Sequence, residues 1–140
     1  GLAYPKRERL RSIASVSGSR LATRPVSSGI RHQFDVALRA AGVDPQVLQR
    51  RAQVHASHRD VVLAILSGKA DAGIVSLAWA ERAGLGCLPF AEEPYDLCLR
   101  PEELAHSAGR ALARALQGRE LRKLLTSAAG YDPRDAGALR

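Results

Sequence analysis

Apolar positions along the chain recur with two periods that take turns. Between Ile30 and Ala41 they fall at Ile30, Phe34, Ala37, Leu38 and Ala41, one stripe of a helix. Ser27 or Ser28 stands where that helix needs an N-cap, and Gly42 stands where it needs a left-handed stop. A second helix is predicted over 57–68, with Ser57 as cap, Asp60 three residues on as in a capping box, and Gly68 as its end. Between and around these lie short runs of small and β-branched residues. They predict strands at 1–5, 20–24, 52–56, 70–76, 85–91 and 94–100, the run "ADAGIVS" being apolar enough for burial on both faces.

The remaining segments fill in around this frame. Residues 6–16 read as a short surface helix or turn, 43–51 as a turn with one or two helical turns, and 77–84 as a short helix. Pro101 opens a helix over 101–118, a last helix runs over 119–130 to Gly130, and a tail follows. Strands that alternate with helices imply an α/β fold with a mostly parallel sheet and flanking helices. A weak seam falls at Glu92-Glu93-Pro94.

Composition adds limits. The 140 residues suit one domain or a little less than two, and 46% hydrophobic content supports a packed core. No apolar run approaches the ~20 residues that cross a bilayer. The opening "GLAYPKRERLR" lacks the apolar stretch of a secretory signal, and the sequence contains no Met, so the chain is expected to begin inside a longer protein and to work in the cytoplasm. Cys87 and Cys98 match no zinc spacing and are expected to be reduced core residues. The net charge of +7 is one-sided: residues 1–60 carry 11 Lys and Arg against 4 Asp and Glu, while residues 61–140 carry 10 of each. A basic front half fits an anionic partner, whether a small oxyanion, a phosphate, a nucleic acid or an acidic face of the same protein.

The strand-to-helix junction at Ser27-Ser28-Gly29 is the leading candidate for chemistry. The first N–H groups of a helix lack internal partners and carry partial positive charge. A small oxyanion can rest on them, with two hydroxyls added and no Cβ at Gly29 to crowd it. Arg24 and Arg31 lie close in sequence. Ser57-His58 and Ser76 open two further helices after strands, so three hydroxyl-bearing helix starts would share one edge of the sheet, where open α/β sheets bind ligands. Three ordinary caps would give the same pattern. Motifs for a nucleophile elbow, a zinc protease, a P-loop or a dinucleotide fold are absent, and the four histidines form no metal set by spacing. No catalytic residue, metal or cofactor is expected. The basic run "KRERLR" could touch phosphates, but aromatic residues are too few, at 4%, to build stacking platforms, and no helix-turn-helix is evident.

The run "RPVSSGIRHQFDVALRAAGVDP", then "SHRDVVLAILSGKADAGIV", then "CLPFAEEPYDLCLR", then "GYD" resembles the periplasmic-binding-protein-like domain of bacterial helix-turn-helix regulators and molybdopterin-related proteins. Arg24, Ser27, Ser28, Gly29, Arg31 and Asp35 match its first pattern. Gly68, Ala70, Asp71, Ala72 and Gly73 match a second, and Glu93, Tyr95, Asp96 and Leu97 match its return strand. Val26 and Ile30 stand where the family commonly has small or hydroxyl residues. The resemblance implies one lobe of a type II solute-binding fold plus C-terminal helices: residues 1–93 as lobe two, and 94–140 as a return strand and helices of an incomplete lobe one.

It further implies a non-enzymatic, ligand-sensing domain of a transcriptional regulator. The ligand would be a small polar or anionic molecule such as molybdate, held by Ser27, Ser28, Gly29, Arg31, Ser57, His58, Ser76 and Tyr95. DNA would be reached only through a separate domain, without a membrane, and the chain would be a homodimer. A domain of a molybdenum-cofactor biosynthesis enzyme and an oligomerisation domain without ligand are the alternatives.

Overall fold

The computed structural model describes residues 1–138, which form two compact units, Gly1–Glu92 and a second that begins at Glu93. The first unit is a five-stranded sheet with helices on both faces. Its strands are β1 (Leu2–Tyr4), β2 (Leu21–Thr23), β3 (Gln53–Val54), β4 (Ala72–Ile74) and β5 (Gly86–Leu88). Its helices are α1 (Gly29–Ala40), α2 (Pro45–Gln49), α3 (His58–Leu66) and α4 (Leu77–Arg82), with a 3-10 turn at Ile13–Gly18.

The strand order is β3-β2-β4-β1-β5. β2 pairs in parallel with β3 and β4, whereas β1 pairs antiparallel with both β4 and β5. β2 to β5 therefore share one direction, β3, β4 and β5 each being reached through helices. β1 runs the other way between β4 and β5, and the 3-10 turn after it returns the chain to β2, so the sheet is mixed where the helix–strand alternation predicted a mostly parallel one.

Side-chain alternation splits the core into two layers. Leu2, Leu21, Ala72 and Ile74 face α1 and α2, and meet Phe34, Leu38, Leu48 and Val16. Ala3 and Ala22 face the other side, against Val61, Val62, Ala64, Ile65 and Ala80 of α3 and α4. The α1 stripe buries Phe34 and Leu38 completely, each contributing roughly 1.5–3 kcal/mol, while Ala41 at its end stays exposed. Gly42 and Gly68 end α1 and α3 with φ of +73° and +71°, the left-handed geometry that side chains resist.

The second unit is helical: α5 (Pro101–Ala105), α6 (Ser107–Gln117) and α7 (Arg119–Ser127). None of its helices buries a residue completely. The single helix predicted over 101–118 is broken at His106, which adopts extended backbone (φ −77°, ψ 157°) and serves both as C-cap of α5 and N-cap of α6. The strand predicted over 94–100 does not form. Tyr95, Leu97 and Leu99 alternate as a strand would, but no neighbouring strand pairs with their backbone, and a strand without a partner leaves its ladder unmade. Cys98 lies in this segment and is exposed, so only Cys87, half-buried against the α3–α4 layer, is a core thiol. Among the described residues no helix is long and apolar enough to cross a membrane.

Candidate functional site

Because β2, β3 and β4 run in parallel, their C-terminal ends and the starts of α1, α3 and α4 lie along one sheet edge. Ser28, Ser57 and Ser76 are the N-caps at those three starts. They do different things there. The Ser57 hydroxyl accepts from the Asp60 amide at 3.1 Å and donates to the Asp60 carboxylate at 2.7 Å, so it is committed to its own helix. Ser28 sits in extended backbone after a turn closed by its amide on the Pro25 carbonyl (3.0 Å), yet its side chain makes no capping bond. Ser76 likewise caps with its carbonyl alone. Ser27 and Gly29 are exposed on either side of Ser28.

Arg31 is held by the fold. Its Nε donates to both Asp35 oxygens at 3.0 and 3.1 Å, and its Nη1 to the Arg24 carbonyl at 3.3 Å. Gln49 of α2 donates to the same carboxylate at 3.0 Å. This network ties α1 to the exit of β2 and to α2. Arg24 takes a different course. β2 places its side chain on the α3 face, where Nη2 donates to the Ala56 carbonyl at 2.9 Å. The His55 amide donates to the Thr23 carbonyl at 2.8 Å, carrying the β2–β3 pairing one step further and bringing the two exits side by side.

Six buried side-chain polar atoms lack a hydrogen-bond partner among the described residues, and five of them belong to the exits of β2 and β3 and the starts of α1 and α3: Thr23 Oγ1, Arg24 Nε, Ser28 Oγ, His55 Nε2 and His58 Nδ1. An unmet buried polar group costs about 1–3 kcal/mol, so these are atoms that bound water or a polar ligand would complete. Among the residues singled out from sequence, the edge gathers Ser27, Ser28, Gly29, Ser57, His58 and Ser76. Tyr95 lies in the second unit with its side chain 92% exposed. Thr23 and His55 escaped the sequence reading, although both flank a strand end. Arg24, which the sequence offers as nearby charge and as a match to the family's first pattern, brings a guanidinium to the β2 exit.

Burial first, then the Arg24 guanidinium and the amino group of Gly1, hold the His58 imidazole below the ordinary histidine range. The unfolded chain therefore binds more protons on this histidine than the folded one between the folded value and the ordinary ~6.5. Stability from this group is complete above about pH 6.5 and declines as pH falls through that window. We expect the melting temperature to drop between pH 7 and pH 5.5, and His58→Gln to flatten part of that drop. An unchanged profile in the variant would remove His58 as its source. At the opposite edge the Arg20 side chain and amide hydrogen-bond Asp71 and hold its carboxyl below the usual range.

A family model described as a PBP superfamily domain matches residues 1–117. No curated protein and no solved structure matches the chain. With the greater part of the sequence under that match, the chain belongs to the PBP (periplasmic-binding-protein) superfamily.

Proposed function

We propose that this chain is the effector-binding part of a bacterial transcriptional regulator, binding without catalysis a small polar or anionic ligand such as molybdate. In this reading Gly1–Glu92 is one ligand-binding lobe, and the helical unit belongs to a second lobe or to a homodimer contact. DNA recognition by sequence resides in a separate domain, and closure around the ligand shifts the population that this domain senses. The observation that carries the reading is the set of buried, unpartnered polar atoms on the residues at the exits of β2 and β3 and the starts of α1 and α3. Arg24 supplies the positive charge, Ser28 and Thr23 supply hydroxyls, and the first turn of α1 supplies N–H groups that its cap leaves open. Arg31, committed to Asp35, orients α1.

The test is thermal stability of the chain against molybdate, tungstate, sulfate and phosphate. A ligand at one hundred times its Kd stabilises the folded state by about 2.7 kcal/mol. The expected result is a shift with one of these anions that Arg24→Ala and Ser28→Ala each abolish. His58→Ala should change the affinity, and no substrate turnover should accompany binding. No shift with any of the four anions would sink the oxyanion assignment.

A further inference from the structure

The opposite edge of the sheet has a different character. β1 runs against its neighbours, so it ends at Tyr4 beside the starting ends of β4 and β5. The chain turns there, with the Glu8 amide on the Pro5 carbonyl at 2.8 Å, and leads into the 3-10 turn. Leu10 packs into the α1-side core with Ile13, which fixes the loop and leaves Arg9 and Arg11 exposed on either side of it. Lys6 and Arg7 are exposed too. Glu8 is the one acidic residue of the loop. It lies 3.9 Å from Arg7 and acts on Arg20, which is itself paired with Asp71. Among the described residues no carboxylate pairs with Lys6, Arg9 or Arg11.

Arg9 and Arg11 border a hollow of about 540 Å³ that Tyr4, Leu10 and Leu88 complete. The Tyr4 ring reaches over β5 because Gly86 carries no Cβ there; one would lie 2.5 Å from the ring. Along the same edge, exposed Arg50 and Arg51 precede β3. Three strand spacings separate β3 from β1, roughly 14 Å.

We propose that this edge is a docking surface for the phosphodiester backbone of duplex DNA, contacted without base readout. Clustered cations without counter-charge repel one another and favour a polyanion. Guanidinium groups match phosphate oxygens in bidentate geometry. The cations spread along the edge instead of converging on one point, which suits a duplex carrying a charge every ~1.7 Å of axis. A membrane surface fits less well, because Leu10 and Ile13, the loop's large aliphatic residues, pack against the α1-side core. The surface faces away from the ligand edge, so it stands whether or not an oxyanion binds there.

The test is fluorescence anisotropy of a labelled mixed-sequence DNA duplex with the whole chain, between about 50 and about 200 mM salt. Binding should weaken with salt with a log–log slope of roughly −4, as four to five phosphate contacts give. Arg9→Glu with Arg11→Glu should weaken binding at least ~10-fold and reduce that slope by about 2. Both side chains are exposed, so the melting temperature should hold. Arg114→Glu with Arg119→Glu, in the helical unit, should leave binding unchanged. No salt-dependent binding at the lowest salt, equal binding by the Arg9/Arg11 variant, or binding to phosphatidylserine vesicles without binding to the duplex would each overturn the proposal.

Discussion

Gly73→Ala is expected to lower the stability of the first unit by about 1–3 kcal/mol, and Gly73→Val to prevent its folding. Gly73 is the middle residue of β4, flanked in register by Ala22 of β2 and Ala3 of β1. The three make a row of minimal side chains across the face that receives α3. A Cβ on Gly73 would lie 2.5 Å from Val61 Cγ1, 3.0 Å from the Ala22 carbonyl oxygen and 3.1 Å from the Ala22 Cβ. Two of those neighbours belong to the adjacent strand, so α3 would have to lift off the sheet. The gain from restricting a glycine backbone, roughly 0.5–1 kcal/mol, does not offset this. Net stabilities of only about 5–15 kcal/mol leave little margin for the larger valine. Urea unfolding followed by the fluorescence of Trp79, the only tryptophan and part of α4, reads the effect in the right unit. Val61→Ala removes the closest neighbour, so the double variant should lose less than the two single losses together. Full additivity would place the strain somewhere other than the α3 contact.

The same row shows what the sequence could and could not convey. The run "ADAGIVS" reads as a buried strand from composition, and β4 is buried throughout. That its glycine is demanded by a helix crossing close above it depends on the β1–β4–β2 order, which no local pattern encodes. Helix boundaries were legible wherever a cap and a glycine stop bracket the apolar stripe, as in α1 and α3. The direction of β1 was not, because alternation presumes a crossover that keeps direction, whereas the 3-10 connection from β1 to β2 reverses it. The segment around Tyr95 misled because period-two alternation describes a strand's faces and says nothing about whether a partner exists. In the candidate site the hydroxyls at helix starts were legible, but their fates were not. Ser57 and Ser28 look alike in sequence; Asp60 three residues on consumes the first, whereas nothing at Arg31 consumes the second.

Arg31 carries the second large effect. The spacing of Arg31 and Asp35 is that of an i,i+4 ion pair, and the fold forms that pair at 3.0 Å. Only 13% and 16% of the two side chains is exposed. Breaking a fully buried pair costs about 3–5 kcal/mol, and surface pairs are worth at most about 1, so Arg31→Ala or Asp35→Ala should cost roughly 2–3 kcal/mol. Either change also strands other partners, the Arg24 carbonyl in one case and the Gln49 amide in the other. Removing both charges together should cost less than the sum of the single changes, since neither is then left unpaired. Arg24→Ala gives up one bond to the Ala56 carbonyl and should cost only about 0.5–1.5 kcal/mol, while abolishing any oxyanion-induced shift. The two arginines are thereby separated by experiment: one variant lowers the urea midpoint, the other silences the ligand response. If Arg31→Ala left the midpoint unchanged and removed the response, the ligand's charge would belong to Arg31, and the buried Arg24 Nε would need another explanation.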